Sequence, residues 1–383
     1  MPFSQIPIDT KEIEQGKLNI DDKQRSNLFA WNGQFSPQFI EILLSNYAEP
    51  EFVILDPFVG SGTTLCECSR KQLASYGVEL NISAYYMAKI YELSSLSKNQ
   101  RVQIINGIEC LIKSVIDESK IMEILLKAPE EIKNQVFLLI ILMDIYNKAI
   151  TFDLLNMKWN KLKTIIIDLP HNTKVTKALR GDSRVMNLRD GLADLLITSP
   201  PYINVFNYHQ KYRRSVEALG YDVLSTAKTE IGSNRKNRGN RFLTIIQYCI
   251  DMGLAIKDAC RVCKPDSRMI YIVGRESSVL GYSFCNSELI YEIGTHIFNL
   301  TLMLRQERFF KNRYGQFIYE DILHFRNTCY NSPSDDIVIH QARDIAVKML
   351  HSKLSLDNDN KNRSLLIQAI SNNHQVNKSE VLK

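Results

Sequence analysis

The chain has 383 residues, of which 45% are hydrophobic, and a formal net charge of +5. This length and composition are typical of a globular protein that buries a large core, in one elaborated domain or in two. The longest apolar run, residues 136–143, is far below the roughly 20 residues that cross a bilayer, so no membrane span is expected. Residues 1–19 contain no continuous apolar stretch behind a basic start, so we expect no signal peptide and a cytoplasmic location.

The eight cysteines are scattered along the chain. Cys260 and Cys263 stand close together, but no second pair is placed to complete a tetrahedral metal site. Reduced thiols and no bound metal are therefore expected.

Apolar runs that end in turn residues predict β-strands interleaved with helices. The seven predicted strands are residues 52–56, 74–79, 175–179, 193–198, 268–273, 300–304 and 321–325. A helix predicted over 63–72 joins the first two strands into a βαβ unit, which carries ligand-binding chemistry at its strand ends. The last two strands follow each other without a clear helix, which favours an antiparallel hairpin at one edge. The expected fold is α/β, with a doubly wound and mostly parallel sheet.

One long segment, residues 83–172, interrupts this alternation with helical periodicity, hardly a glycine and charges that nearly cancel. It predicts a helical insertion between the second and third strands. The chain then divides into a first part of the main domain (1–82), the insertion (83–172), a second part of the main domain (173–330) with a basic loop (205–241), and a polar C-terminal tail (331–383).

The first motif is Asp56-Pro-Phe-Val-Gly-Ser-Gly-Thr-Thr64, which follows the first strand. Gly60 and Gly62 lack the Cβ atoms that would block a nucleotide-like ligand, and the turn exposes amides at the start of a helix. The carboxylate of Asp56 can accept hydrogen bonds from a loop amide or from the ammonium group of an amino acid. The motif therefore predicts a nucleotide-type site.

Three further residues narrow the ligand. Thr63 and Thr64 stand where a P-loop would carry lysine and serine or threonine, which disfavours ATP. Glu79 ends the second strand, the position from which an acid commonly holds ribose hydroxyls. An NAD dehydrogenase shares this logic, so these residues alone leave NAD and S-adenosylmethionine open.

The second motif is Thr198-Ser-Pro-Pro-Tyr202, at the end of the fourth strand. Pro200 and Pro201 fix the backbone and remove two amide donors, which makes a stiff turn. The hydroxyl of Ser199 and the carbonyl of Pro200 can bind the two hydrogens of an exocyclic amine, and Tyr202 can stack on a base. Such an amine is a poor nucleophile, so orientation would be the main catalytic effect. Taken alone, an ordinary Pro-Pro turn is the more common interpretation.

The segment that follows, residues 205–241, contains eight Lys or Arg against three acids. Phosphates of a bound strand would need such neutralising charge, although a merely solvated loop is the alternative. The candidates for nucleic-acid contact are Lys211, Arg213, Arg214, Arg235, Lys236, Arg238 and Arg241.

Taken together, the two motifs resemble those of the amino-methyltransferase family that modifies cytosine N4 or adenine N6 in DNA. Residues 56–62 resemble its cofactor motif, and 198–202 resemble its catalytic motif. Residues 27–37 resemble the segment that closes over the methionine part of the cofactor, and Gly181-Asp182 resembles an acidic turn near its adenine ring. The resemblance runs from about residue 26 to residue 325. It implies a Rossmann-like methyltransferase fold and S-adenosyl-L-methionine as cofactor.

The resemblance also implies roles for individual residues. In such enzymes Phe58 would touch the cofactor, Glu79 would hold the ribose, and Asp182 would lie near the adenine amino group. Ser199, Pro200, Pro201 and Tyr202 would line the base pocket. The full set of implied cofactor contacts is Phe35, Ser36, Asp56, Phe58, Gly60, Gly62, Thr63, Thr64, Glu79 and Asp182.

Serine before Pro-Pro-Tyr is usual in family members that act on cytosine N4, whereas aspartate or asparagine is usual for adenine N6. Ser199 therefore favours a cytosine-N4 DNA methyltransferase of a restriction-modification system, with a separately encoded restriction endonuclease as partner. The motif order departs from that of many cytosine-N4 relatives, in which the catalytic motif comes first. Double-stranded DNA with a flipped target base is the expected substrate.

Three alternatives remain open. An adenine-N6 DNA enzyme and an RNA amino-methyltransferase would keep the same mechanism with another substrate. A noncatalytic nucleic-acid-binding module belongs to a different class. It is disfavoured because Asp56, Gly60 and the Ser199 turn are all retained.

Overall fold

A computed structural model describes residues 2–145, 149–203, 208–232, 237, 239–311, 314–355 and 362–382. Over these ranges, no helix combines the length and the apolar character that a membrane crossing requires.

The strands that the structure describes form one seven-stranded sheet in the order β3-β2-β1-β4-β5-β9-β8, with a separate two-stranded ribbon, β6-β7. They are β1 Val53–Asp56, β2 Ala74–Glu79, β3 Thr176–Arg180, β4 Ala193–Thr198, β5 Cys263–Gly274, β6 Glu276–Val279, β7 Tyr282–Cys285, β8 Thr301–Lys311 and β9 Phe317–Arg326. The five neighbouring strands β3, β2, β1, β4 and β5 pair in parallel, while β9 runs antiparallel to both β5 and β8. The predicted doubly wound sheet with an antiparallel edge hairpin is confirmed.

Strand ends are the least accurate part of the sequence prediction. The edge strands β8 and β9 continue to the pair Lys311 and Phe317, well beyond the predicted 300–304 and 321–325. Their outer residues are polar or exposed, so they lack the buried apolar run that marks a strand in sequence. The β6-β7 ribbon was not predicted either. Its strands also lack a buried apolar run, since each alternates buried and more exposed residues over only four positions.

Helices cover both faces of the sheet. They are α1 Gln15–Asn19, α2 Pro37–Tyr47, α3 Thr63–Arg70, α4 Ile82–Lys89, α5 Lys98–Lys113, α6 Ile121–Leu126, α7 Glu130–Met143, α8 Phe152–Asp168, α9 Arg213–Ala218, α10 Val223–Thr229, α11 Leu243–Val262, α12 Asn286–Glu292, α13 Asp335–Leu354 and α14 Arg363–Ser371.

The helices α4 to α8 lie between β2 and β3, in the segment predicted as a helical insertion. The middle of α7, residues 136–141, is buried on all sides and forms the centre of a core shared with α4, α5 and α8. This explains why the longest apolar run of the chain is a core helix and not a membrane span.

The basic segment is not the loop that its charge predicts. It contains α9 and α10, whose Val216 and Val223 are buried in the same core as the insertion helices. Counting charges over 205–241 obscured the apolar positions that fold these two short helices.

The C-terminal residues also belong to the folded body. Val338, Ala342, Ala346 and Leu350 lie four residues apart on α13 and are buried in one core with α11. This spacing places them on one face of the helix. Where α13 crosses α11, Gly253 leaves room for the side chain of Val338.

Arg184 ties the end of β3 to α11 and to the last residues of the chain. Its guanidinium is paired with the carboxylates of Asp182 and Asp251 and donates to the backbone carbonyl oxygens of Ser379 and Glu380. The three charged side chains are buried, with exposed fractions of 1%, 3% and 0%. Breaking such a buried network leaves charges without a partner.

Arg184→Ala should therefore destabilise the protein by about 3–5 kcal/mol, because two buried carboxylates lose their counter-charge. Urea unfolding followed by circular dichroism measures the change. Lys127→Ala, which removes an exposed ion pair with Glu123, is the control and should change the midpoint little. Equal midpoints for the two variants would contradict the role given to Arg184.

Candidate active site

A cleft lies at the carboxyl ends of β1 to β4, where the glycine turn after β1 and the proline turn after β4 meet. It holds about 900 Å³ of empty space, part of it open to solvent. Its walls are formed by residues 31–35, 57–61, 63, 78–81, 181–183, 199, 201, 208 and 229–231. The two motifs therefore open into one cleft.

Asp56 joins the two turns from below. Its carboxylate accepts hydrogen bonds from the hydroxyl of Thr64 (2.6 Å), the hydroxyl of Thr198 (2.7 Å) and the amide of Phe58 (3.2 Å). The side chain is 1% exposed and does not line the cleft. Of the two roles predicted for it, the structure supports a partner of the loop amide and not of a bound ammonium group.

Burial also affects the charge of Asp56. Desolvation raises the pKa of its carboxyl group to about 6, although the three hydrogen bonds favour the ionised form and act in the opposite direction. The group is therefore ionised at neutral pH, as these hydrogen bonds require.

Glu79 does line the cleft, and it also supports the glycine turn. Its Oε2 accepts a hydrogen bond from the amide of Gly60 (2.8 Å), and its Oε1 accepts one from the amide of Asn81 (2.7 Å). Burial raises the pKa of Glu79 to about 7, with smaller upward contributions from the charges of Asp56 and Glu230. Each oxygen retains a second lone pair for a ligand.

Asp182 lines the cleft at the end of β3, but Arg184 occupies its carboxylate. Arg184 donates to Oδ1 through Nε (2.9 Å) and to Oδ2 through Nη2 (2.6 Å). This bidentate pair fixes the acidic turn in place.

The segment 27–37 forms a wall above the glycine turn. Thr63 donates its hydroxyl hydrogen to Asn27 (2.9 Å), and Ser61 donates to Gln34 (2.7 Å). Phe35 lines the cleft as predicted by the resemblance, whereas Ser36 precedes α2 and does not. These hydrogen bonds hold the segment against the turn that the sequence already marks as ligand-binding.

The two glycines of the first motif serve different purposes. Gly60 has a φ of +55° and borders the cleft beside Trp31. Gly62 has a φ of +90°, and a Cβ atom there would stand 2.6 Å from ring carbons of Tyr91 and 2.8 Å from Cα of Ala88. Gly62 therefore permits close packing inside the protein and does not make room for a ligand. Thr64 likewise stays below the cleft.

In the proline turn, Ser199 and Pro201 line the cleft, while Pro200 and Tyr202 do not. The ring of Tyr202 packs against Gly274, where a Cβ atom would stand 2.6 Å from it. Its hydroxyl lies 3.2 Å from the hydroxyl of Ser199 and donates to Glu320 (3.2 Å). The predicted stacking of Tyr202 on a base is replaced by support of Ser199 from behind.

The aromatic wall of the cleft comes from other residues. Trp31 and Tyr208 stack with ring centroids 6.0 Å apart and an interplanar angle of 20°. Lys211 donates to the carbonyl oxygen of Ala30 (2.7 Å), and its ammonium lies 5.5 Å from the centroid of the Trp31 ring. Lys211 therefore holds this wall in place, which is a different role from the predicted phosphate contact.

The remaining basic candidates have mixed outcomes. Arg213 pairs with Glu217 on α9 (2.7 Å), and Arg214 is exposed on the same helix. Arg241 is half-buried, and its Nε has no hydrogen-bond acceptor within the described part of the chain. Arg235, Lys236 and Arg238 lie outside the described residues.

Several lining residues were missed from sequence: Trp31, Gln34, Asn81, Thr229, Glu230 and Ile231. Trp31 and Gln34 lie within 27–37, so the resemblance pointed to their segment. Residues 229–231 lie in the basic segment, where Glu230 was counted only as a charge. Within the described ranges, no cluster of three or more His, Cys, Asp or Glu side chains is arranged to hold a metal ion.

The fold and the cleft define an α/β protein with a cleft at the carboxyl ends of its parallel strands, where ligands of such sheets bind. Residues 8–90 match the model of a family of N6 and N4 methyltransferases described as DNA methylase. Over residues 8–90, which contain the first motif, this match confirms the predicted resemblance.

Individual proteins are similar over different lengths. The Type II methyltransferase M.MjaII of Methanocaldococcus jannaschii is 29% identical over 87 residues, which cover 21% of this chain and 16% of that protein. A SAM-dependent methyltransferase from Methanosarcina mazei has a TM-score of 0.35 and 10% identity over 74% of this chain and 96% of its own. A geranyl diphosphate C-methyltransferase from Streptomyces coelicolor, in complex with S-adenosyl-L-homocysteine, has a TM-score of 0.32 and 10% identity over 79% and 88%. Both structural likenesses are too distant to bear on the ligand or substrate of this chain.

Gly62→Ala should destabilise the protein more than Gly191→Ala does. Both positions have a positive φ, which costs about 1–2 kcal/mol for alanine. Only Gly62 also meets a ring and a backbone atom, and overpacking adds about 1–3 kcal/mol. Chemical denaturation of both variants measures the difference, and a larger loss for Gly191→Ala would contradict this packing role.

Proposed function

We propose that this protein is an S-adenosyl-L-methionine-dependent DNA methyltransferase that modifies the exocyclic N4 amino group of cytosine. S-adenosyl-L-methionine is the cofactor that the resemblance implies, and residues 8–90 match the model of that family. The observation that carries the proposal is the common cleft of the Gly60 turn and the Ser199 turn. A donor site and a base site must adjoin in this way for a direct transfer between them.

The residues present fit the cofactor. Glu79 would accept hydrogen bonds from the ribose, the 27–37 segment would cover the methionine part, and Trp31 with Tyr208 would supply apolar ring surface. When bound, S-adenosyl-L-methionine supplies an electrophilic methyl group. The residues around it orient the ligands and exclude water.

A chain of hydrogen bonds determines how Ser199 acts on the base. Arg308 holds Glu320 (2.6 Å), and Glu320 accepts the hydroxyl hydrogen of Tyr202. Tyr202 then accepts the hydroxyl hydrogen of Ser199, whose oxygen lone pairs remain available for an amino hydrogen of the base. The network favours Ser199 as an acceptor, which is what an amine needs from its site.

Orientation supplies most of the rate in this scheme. Holding the amino nitrogen in line with its target can contribute about 7–11 kcal/mol. The nitrogen carries a positive charge once it is alkylated and then loses a proton, so no strong base is required. A base that is stacked inside a duplex cannot present its amino group to a protein cleft, so the proposal requires that the target nucleotide leave the duplex.

Ser199 supports cytosine N4 over adenine N6 through the family correlation, and we further propose a restriction endonuclease as the functional partner. Incubation of the protein with labelled S-adenosyl-L-methionine and unmodified DNA, followed by mass analysis of the nucleosides, tests the target. We expect 4-methylcytosine. Detection of 6-methyladenine would show that the target is adenine N6 and not cytosine N4. Label in RNA alone would contradict the DNA assignment.

Ser199→Ala should lower turnover at least about tenfold, because the amine loses one positioning acceptor. Donor affinity should stay within about twofold of the wild type, since the nucleoside end is bound elsewhere. Methylation kinetics and calorimetric titration with S-adenosylhomocysteine measure the two quantities. Ser352→Ala, an exposed serine on α13, is the control. Equal losses in turnover and donor affinity for Ser199→Ala would contradict this division of roles.

Donor affinity should rise with pH up to about 7, because the ionised form of Glu79 is the better acceptor and its pKa is about 7. Below that value, protonation opposes binding by up to about tenfold per pH unit. Titrations between pH 5.5 and 7.5 measure this slope. Glu79→Gln carries no titrating group at this position, and an unchanged slope in that variant would assign the effect to another group.

A further inference from the structure

Glu230 is an acid of the cleft that the proposed function has not used. It lines the cleft, and its side chain is only 10% exposed. Its Oε2 lies 2.9 Å from Nδ1 of His209. Its Oε1 is buried and has no hydrogen-bond donor among the described residues.

The other two acids of the cleft differ in this respect. Both oxygens of Glu79 accept hydrogen bonds from backbone amides, and both oxygens of Asp182 accept hydrogen bonds from the guanidinium group of Arg184. A buried carboxylate oxygen without a donor costs free energy, so native proteins usually satisfy such an atom. A ligand that fills the cleft and donates an N–H or O–H group would remove this cost.

The position of Glu230 is rigidly held. His209 is 3% exposed, and its Nδ1 holds one of the two carboxylate oxygens of Glu230. The carbonyl oxygen of the preceding residue, Thr229, accepts a hydrogen bond from Arg184 (3.0 Å), and Ile231 is buried on the other side. The free oxygen is therefore presented in one place before a ligand arrives, which reduces the entropy that binding costs.

Glu230 lies on the side of the cleft that the ends of β2 and β3 form, where the proposed function places the nucleoside. Its charge contributes to raising the pKa of Glu79, at the end of β2, and of Tyr208. Through Thr229 and Arg184 it is also linked to Asp182, at the end of β3. In the sheet order β3-β2-β1-β4, the ends of β2 and β3 lie on the opposite side of β1 from Ser199, which follows β4.

We infer that Glu230 is a further ligand-contact residue, whose Oε1 accepts a hydrogen bond from an N–H or O–H group of the adenosine part of the methyl donor. This inference rests on the proposed function, because it takes S-adenosyl-L-methionine as the donor. The two sources of a suitable hydrogen are the adenine amino group and the ribose hydroxyls.

Calorimetric titration of the full chain with S-adenosylhomocysteine tests the inference without requiring DNA. Glu230→Ala should weaken binding about ten- to hundredfold, and Glu230→Gln should weaken it less, because a neutral acceptor replaces a charged one. Glu131→Gln, an exposed acid on α7, is the control and should bind as the wild type does. Urea unfolding of each variant tests whether a loss of binding comes from an unfolded fraction of the protein.

Two sets of ligand analogues identify the group that Glu230 contacts. One lacks the 6-amino group of the purine, and the others lack the 2′ or the 3′ hydroxyl. The analogue without the contacted group should bind the wild type about tenfold more weakly, while Glu230→Ala should no longer distinguish it from S-adenosylhomocysteine.

The outcomes separate the inference from the proposed function. If the wild type binds S-adenosylhomocysteine and both Glu230 variants bind it equally well, the inference is wrong and the proposed function stands. Full retention of every analogue penalty in Glu230→Ala also overturns the inference. If the wild type itself does not bind S-adenosylhomocysteine, the proposed function fails and the inference fails with it.

Discussion

The carboxylate of Asp56 is the interaction on which the candidate site depends. It accepts the hydroxyl hydrogen of Thr64 at the start of α3 and that of Thr198 at the end of β4, which lies 142 positions from Asp56 in the chain. These hydrogen bonds hold the glycine turn and the proline turn next to each other at the carboxyl ends of β1 and β4. Without this acceptor, buried hydroxyl and amide groups on both turns would lose their partner. Asp56 therefore acts by shaping the cleft and not by contacting its occupant.

The sheet order explains why the two turns can meet at all. β1 lies between β2 and β4, and all three strands point their carboxyl ends to the same edge. Ligands of open α/β sheets bind at this edge. The insertion helices between β2 and β3 and the helices α9 and α10 after β4 share one hydrophobic core, which supports the wall that carries Tyr208 and Glu230. The cleft is thus built from segments far apart in sequence.

The sequence predicted the sheet and both motifs because apolar runs and turn residues are local signals. It could not predict the packing contacts of residues whose partners are distant in the chain. Gly62 is required by Tyr91, and Tyr202 is turned away from the cleft by Gly274 and Glu320, none of which is near its partner in the chain. Glu230 was counted only as a charge, since burial and a missing donor are properties of the folded state.

We propose that one cleft, bounded by the glycine turn and the proline turn, holds the methyl donor next to the target base. A crystal structure of the protein with S-adenosylhomocysteine measures this directly. We expect the adenosine part between Glu79 and Asp182 and the sulfur atom between the turns at Gly60 and Ser199. Density for the ligand outside this cleft, or within it but separated from Ser199 by packed side chains, would show that the two turns do not form one site.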